Sequence, residues 1–184
     1  RHTTPTAPPP TRAAAPLHHA GGLALGAVIG LSFRAGPILD ALSPRGPLLW
    51  SLVMGAAAAA ACVGVLWLLR AVPPLERLER WQRGVVADWT TADAVSVALI
   101  SGIAEEALLR AFLQPVIGLA PAAVLFAILH IVPDRELWIW PLFALASGVL
   151  LGVLFEFHGF PAAATAHVLI NLVALLRLRL PEGE

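Results

Sequence analysis

Thr91–Leu113 reads TADAVSVALISGIAEEALLRAFL, and this stretch decides the fold. It is apolar enough to cross a membrane, yet it carries Glu105, Glu106 and Arg110. An ionised carboxylate in hydrocarbon is costly, so one such residue already marks a functional site, and a pair marks it more strongly. Thr91 is placed to cap this helix, and Pro115 sets its expected end near Leu113. Two further polar sets interrupt later apolar segments: His130, and His167 with Asn171.

Composition agrees with a membrane setting. Of 184 residues, 58% are hydrophobic and 13% charged, with a mean hydropathy of +0.79. A soluble domain has about one quarter of its residues charged. The expected fold is therefore all-α, a polytopic bundle of about six membrane helices at roughly 20 residues each. Net charge is zero, which argues against nucleic acid as a partner. All 12 basic residues are Arg, and Tyr is absent. Together with the many Ala and Pro, this is the bias of a GC-rich, bacterial genome. The single Cys62 follows an Ala run and supports neither a disulfide nor a cysteine metal cluster.

Outward from the deciding stretch, residues 1–16 form a Pro-rich tail read as disordered, and residues 17–180 a single membrane domain with its motif-bearing core at 91–177. The chain does not open on Met, so upstream sequence is expected, and no signal-peptide n-region stands at its start. A first, short apolar segment spans Leu17–Phe33, with Gly22, Gly26 and Gly30 on one face. Leu48–Leu69 carries no charge and suffices for one crossing, with Trp50 and Trp67 near its ends. In Pro73–Asp88, charged residues interleave with Leu75, Leu78 and Trp81, the pattern of an amphipathic interfacial helix. A shorter helix is expected from Pro121 to Val132, a fifth from Leu137 to Phe155 with Gly148 and Gly152 as a close-packing pair, and a sixth from Pro161 to Leu176. Glu156 and His158, near the end of the fifth, read as interfacial. With the N-terminus cytoplasmic, Arg70, Arg77, Arg80, Arg83, Arg135, Arg177 and Arg179 all face the cytoplasm, while Arg34 and Arg45 face out. The expected location is the bacterial inner membrane.

Helical spacing sorts the polar residues by face. Glu106 and Arg110 are four apart and can pair, whereas Glu105 is rotated by about 100° and points elsewhere. A purely structural knot of these three is the alternative, but it does not call for a second carboxylate. Phe126 shares a face with His130, and His167 with Asn171. One shared polar cavity is the least costly way to satisfy all these intrusions. No Ser-His-Asp set is visible, Cys62 has no base placed for it, and the two-His-plus-Glu zinc-protease helix is absent. A carboxylate with a histidine deprotonates water, and a second His with an Asn stabilises the oxyanion at an attacked carbonyl. That is the chemistry of amide hydrolysis.

Glu105-Glu106-Ala107-Leu108-Leu109-Arg110 is an EExxxR motif, Phe126–His130 is FxxxH, and His167–Asn171 is HxxxN. In this order and spacing they resemble the CPBP family of intramembrane proteases, which includes CAAX prenyl proteases and bacteriocin-processing enzymes. The resemblance implies an endopeptidase in which Glu105 and His130 activate water, His167 and Asn171 form the oxyanion hole, and Glu106 and Arg110, with Phe126 beside them, support the site. It implies a metal-free glutamate mechanism with no cofactor. Zinc on Glu105, His130 and His167 is the alternative, since these ligand types suit it. Glu105 would lie roughly 20 Å into its helix and His167 roughly 10 Å below the outer end of its own. That depth suggests a site open to the outer face, acting on exported or membrane-anchored proteins. The competing class is a non-enzymatic one: a bacteriocin self-immunity protein, or a proton-coupled transporter, for which the expected internal repeat is not visible.

Overall fold

The computed structural model describes residues 38–180; the expected tail and the Leu17–Phe33 segment with its three glycines lie outside them. A short helix α1 (Ile38–Ala41) precedes α2 (Leu48–Leu69) and α3 (Pro73–Val86). Helix α4 (Thr91–Glu106) passes without a break into a π-helical stretch, Ala107–Leu113, and then α5 (Gln114–Ile117). Helix α6 (Leu119–Leu129), a 3₁₀ turn (Arg135–Leu137), α7 (Ile139–His158) and α8 (Phe160–Leu178) complete it. No strand occurs among the described residues, only an isolated bridge between Pro44 and Gly159.

Three helical segments are long and apolar enough to cross a membrane: Leu48–Leu69, Arg135–His158 taken with its 3₁₀ turn, and Phe160–Leu178. The protein is an all-helical membrane bundle. The Glu-bearing α4 and the short α6 stand beside these three.

Helix α8 is the centre of the bundle, packed on α2, α4 and α7, while α6 pairs with α7. Small residues make these approaches possible. Helix α2 buries only Ser51, Gly55 and Ala59, one stripe at spacing four, and Gly55 abuts the backbone carbonyl of Ala162. The rest of α2 is apolar and faces outward, as a lipid-facing helix should. Gly148 of α7 lies on the backbone of Ala123 in α6, as the expected close-packing pair requires. Gly102 of α4 meets Val168 of α8, and this contact sets the distance between the helices that carry Glu105 and His167.

Several boundaries differ from those read in the sequence. The cap of α4 is Thr90, not Thr91. The Thr90 side chain accepts from the Asp93 backbone N–H, and the Asp93 carboxylate accepts from the Thr90 N–H. Thr91 lies inside the helix, and its hydroxyl accepts from Arg179. Pro115 does not end the helix. The Gln114 N–H bonds to the Leu109 carbonyl, five residues back, and this wide turn accommodates the proline ring. The chain instead breaks at Gly118, whose φ of 87° suits glycine, so α6 begins before Pro121. Helix α6 also ends earlier than Val132. His130 turns out of helical geometry (φ −100°, ψ 7°), so it caps α6 rather than sitting within it.

The two ends of the bundle differ in charge as the sequence predicts. At one end α3 packs against the last turn of α8, with Arg83 donating to the carbonyls of Leu178 and Leu180 at 3.0 and 2.7 Å. Glu79 pairs there with both Arg83 and Arg177. Arg179 donates to the Trp89 carbonyl, Trp81 of α3 stacks on Trp140 at 5.3 Å, and the Arg135–Leu137 turn packs on α3. At the opposite end Ser51 Oγ and the Arg45 N–H both donate to the His158 carbonyl. Arg45 is thus separated from the cluster of Arg83, Arg135, Arg177 and Arg179 by the length of the bundle.

Two glycine substitutions test this packing. A Cβ at Gly102 would lie 2.6 Å from Val168 Cγ2 and 2.9 Å from its backbone nitrogen, whereas one at Gly64 meets nothing within 4 Å. Gly102→Ala is expected to destabilise the bundle by about 1–3 kcal/mol. Gly64→Ala should be neutral or stabilising, by up to about 1 kcal/mol. Melting temperatures in detergent compare the two; equal values would contradict the close α4–α8 approach.

Candidate active site

Glu105 and Glu106 are the last two residues of α4, immediately before the π-helical turn, and both are buried. Single π-turns recur where helices carry function. Glu106 and Arg110, each 0% exposed, form the pair that their spacing predicts, with Arg110 Nε donating to Glu106 Oε2 at 3.1 Å. The second oxygen of Glu106 reaches across to α8, where His167 Nδ1 lies 2.9 Å from Oε1. One carboxylate therefore joins Arg110 to His167.

The bond to Glu106 fixes the histidine's tautomer. A carboxylate paired with Arg110 acts as an acceptor, so His167 Nδ1 carries the proton and donates it. The ring's other nitrogen, Nε2, then faces Glu105, 3.9 Å from its Oε2. That separation is too long for a hydrogen bond. Glu105 Oε2 is buried without a hydrogen-bond partner. Of the two adjacent glutamates, one is saturated and the other presents an unsatisfied oxygen.

One turn along α8, Asn171 Nδ2 donates to Ser101 Oγ of α4 at 3.0 Å. The amide has a second N–H, so this bond leaves one donor for another acceptor. His130 is held by its own helix. Its N–H bonds to the Ala127 carbonyl, and its Nδ1 lies 2.8 Å from the Phe126 carbonyl. A carbonyl only accepts, so Nδ1 again carries the proton, and Nε2 is the basic nitrogen of the neutral ring. The Phe126 ring links the parts. Its centroid lies 4.6 Å from that of His130 and 5.5 Å from that of His167, with the Arg110 guanidinium 5.6 Å away.

The structure thus brings Glu105, Glu106, Arg110 and His167 into direct contact, sets Asn171 one turn beyond them, and joins His130 to them through Phe126. Among the described residues no three His, Cys, Asp or Glu side chains are grouped to hold a metal ion.

Three participants escape a reading of the sequence. Ser101 is the partner of Asn171. Gln114 lies buried behind Arg110, with Oε1 3.4 Å from Nη1. Trp140 stacks edge-on to His130 at 5.8 Å. For Ser101 and Gln114 a signal exists: each is four residues from a charged residue, Glu105 and Arg110 respectively.

This arrangement predicts unequal stability costs. Arg110→Met leaves Glu106 as a buried charge without its guanidinium and should cost about 3–5 kcal/mol. Glu105→Gln removes no hydrogen bond to the unpartnered oxygen and should fold as the wild type does. Thermal unfolding in detergent separates them; equal melting temperatures would contradict the assignment of Glu106 as the structural carboxylate.

Residues 87–173 match the family described as Rce1-like, type II CAAX prenyl endopeptidase. An uncharacterised protein of Bacillus subtilis (strain 168), YpbD, is 36% identical over 88 residues, covering 46% of this chain and 45% of that protein. The chain therefore matches less than half of that relative's length. No solved structure matches. The matched stretch holds both glutamates, Arg110, Phe126, both histidines of the site and Asn171. Over residues 87–173 the chain is similar to the Rce1-like family of type II CAAX prenyl endopeptidases.

Proposed function

We propose that the protein is an intramembrane endopeptidase that hydrolyses a peptide bond in or near the membrane segment of a protein or peptide substrate. The observation that carries this reading is the pair of adjacent buried glutamates in different states. Glu106 is saturated by Arg110 and His167, while Glu105 Oε2 has no partner. A buried carboxylate oxygen held without a donor is costly to a purely structural cluster and apt for a general base.

In this mechanism Glu105, with His130, takes a proton from water, and the hydroxide attacks the scissile carbonyl. The oxyanion accepts hydrogen bonds from the second N–H of Asn171 and from His167 Nε2–H when that ring is protonated. The proton held by Glu105 passes to the leaving amine, and the peptide bond breaks. Glu106 and Arg110 touch no substrate; they keep His167 in its tautomer and orientation. No metal or cofactor enters a step.

The substrate class proposed is an exported or membrane-anchored protein, because His167 lies nearer the Phe160 end of α8, opposite the arginine cluster, than the Leu178 end. We take the arginine-rich end as cytoplasmic by the positive-inside rule; with Leu17–Phe33 as a crossing, the N-terminus would be cytoplasmic too and the bundle would lie in a bacterial inner membrane. The bilayer itself is the protein's other partner.

A tagged membrane-anchored substrate in liposomes tests the reading. Wild-type protein should cleave it, and Glu105→Gln should lose about a hundredfold to ten-thousandfold in rate while remaining folded. Near-normal cleavage by a folded Glu105→Gln protein would remove Glu105 as the base. Asn171→Ala should lower kcat by about a hundredfold to a thousandfold with little change in KM. A loss confined to KM would make Asn171 a substrate-binding residue. Treatment with phenanthroline should leave activity intact; reversible inactivation with about one zinc per chain would overturn the metal-free mechanism.

A further inference from the structure

Beyond the residues given a chemical role, one buried polar side chain is bonded on three sides. Gln114 is 4% exposed and lies one helical turn past Arg110. Its Oε1 accepts from Arg110 Nη1 at 3.4 Å, and its Nε2 donates to the Gly152 carbonyl at 3.0 Å and to Glu156 Oε1 at 3.2 Å. The amide cannot be turned over without loss. Reversed, its oxygen would face a carbonyl and a carboxylate, and its NH₂ group would face a guanidinium.

Helix α7 is shaped around this amide. A Cβ on Gly152 would lie 2.9 Å from Gln114 Oε1 and 3.1 Å from Leu119 Cγ, so the space at Gly152 is filled by Gln114 itself. The guanidinium has few other anchors. Arg110 Nε is committed to Glu106, Nη2 has no hydrogen-bond partner, and the Phe126 ring gives only a face at 5.6 Å. Gln114 is therefore the second hydrogen-bonding anchor of Arg110, and α7 holds Gln114 in turn.

We propose that Gln114 is a positioning residue for the hydrolytic site, acting through the sequence Gln114, Arg110, Glu106, His167. Anchored to α7, Gln114 keeps the guanidinium on Glu106, and Glu106 keeps the Nδ1–H of His167 engaged so that Nε2 faces Glu105. This inference rests on the peptidase reading for its kinetic consequence, but its structural step is independent of that reading. Release of Arg110 would let Glu106 and His167 reorient together, so that the His167 ring loses its alignment with Glu105.

Gln114→Met keeps the length and bulk of the side chain and removes both bonding ends; Gly152→Ala leaves Gln114 in place and crowds its amide. Misplacement near the chemistry costs about a hundredfold, so each variant should lose kcat on that order while KM stays within about twofold. The double variant should lose no more than either single one, because both act on one anchor. A second readout does not require activity: hydrogen exchange of the Arg110 Nε–H, followed by NMR of arginine-labelled protein in micelles, should be faster in both variants. Should Gln114→Met fail to fold, Gly152→Ala carries the same test. Wild-type kcat in a folded variant, a loss confined to KM, or unchanged Arg110 exchange would each overturn the proposal. If the wild type cleaves no membrane substrate, the peptidase reading fails, and Arg110 exchange alone decides the positioning role: faster exchange supports it, unchanged exchange overturns it.

Discussion

The structure depends on one carboxylate with two partners. Glu106 takes a hydrogen bond from Arg110 one turn along its own helix and another from His167 on the central helix α8. Isolated, each of these groups would be costly in an apolar bundle; together they neutralise one another and bond most of their polar atoms. The same carboxylate ties α4 to α8 and sets which nitrogen of His167 faces Glu105. Glu106 thus has both its oxygens engaged, while Glu105 Oε2 has no hydrogen-bond partner.

The rest of the bundle serves that contact. Gly102 lets α4 and α8 approach at the level of the glutamates, and the stripe Ser51, Gly55 and Ala59 lets α2 lie on the other side of α8. The last carbonyls of α8 are taken by Arg83 of α3, so the helix that carries His167 is fixed at its end by side chains from the interfacial helix. The aromatic contacts Trp81–Trp140, Trp140–His130 and His130–Phe126 run from that interfacial helix to the site.

Much of this was legible in the sequence. Leu48–Leu69 has the expected bounds because no charge interrupts it. The Glu106–Arg110 pair follows from spacing, since residues four apart must meet on a helix. What failed was local backbone geometry. Pro115 and Pro121 were read as helix boundaries, but the π-helical turn carries the chain past the first, and Gly118 sets the start ahead of the second. His130 was placed within a helix because the apolar run continues to Val132, whereas the backbone turns at His130 itself. The double role of Glu106 was not legible at all. It depends on how deeply α8 lies against α4, a tertiary distance that spacing within one helix does not encode.

The tautomer of His167 tests the central claim most directly. Histidine-labelled protein in micelles, observed by nitrogen NMR across neutral pH, should show Nδ1 of His167 protonated throughout, because Glu106 holds that proton. Nε2 alone should gain or lose a proton. A neutral His167 carrying its proton on Nε2, with Nδ1 bare, would contradict the account.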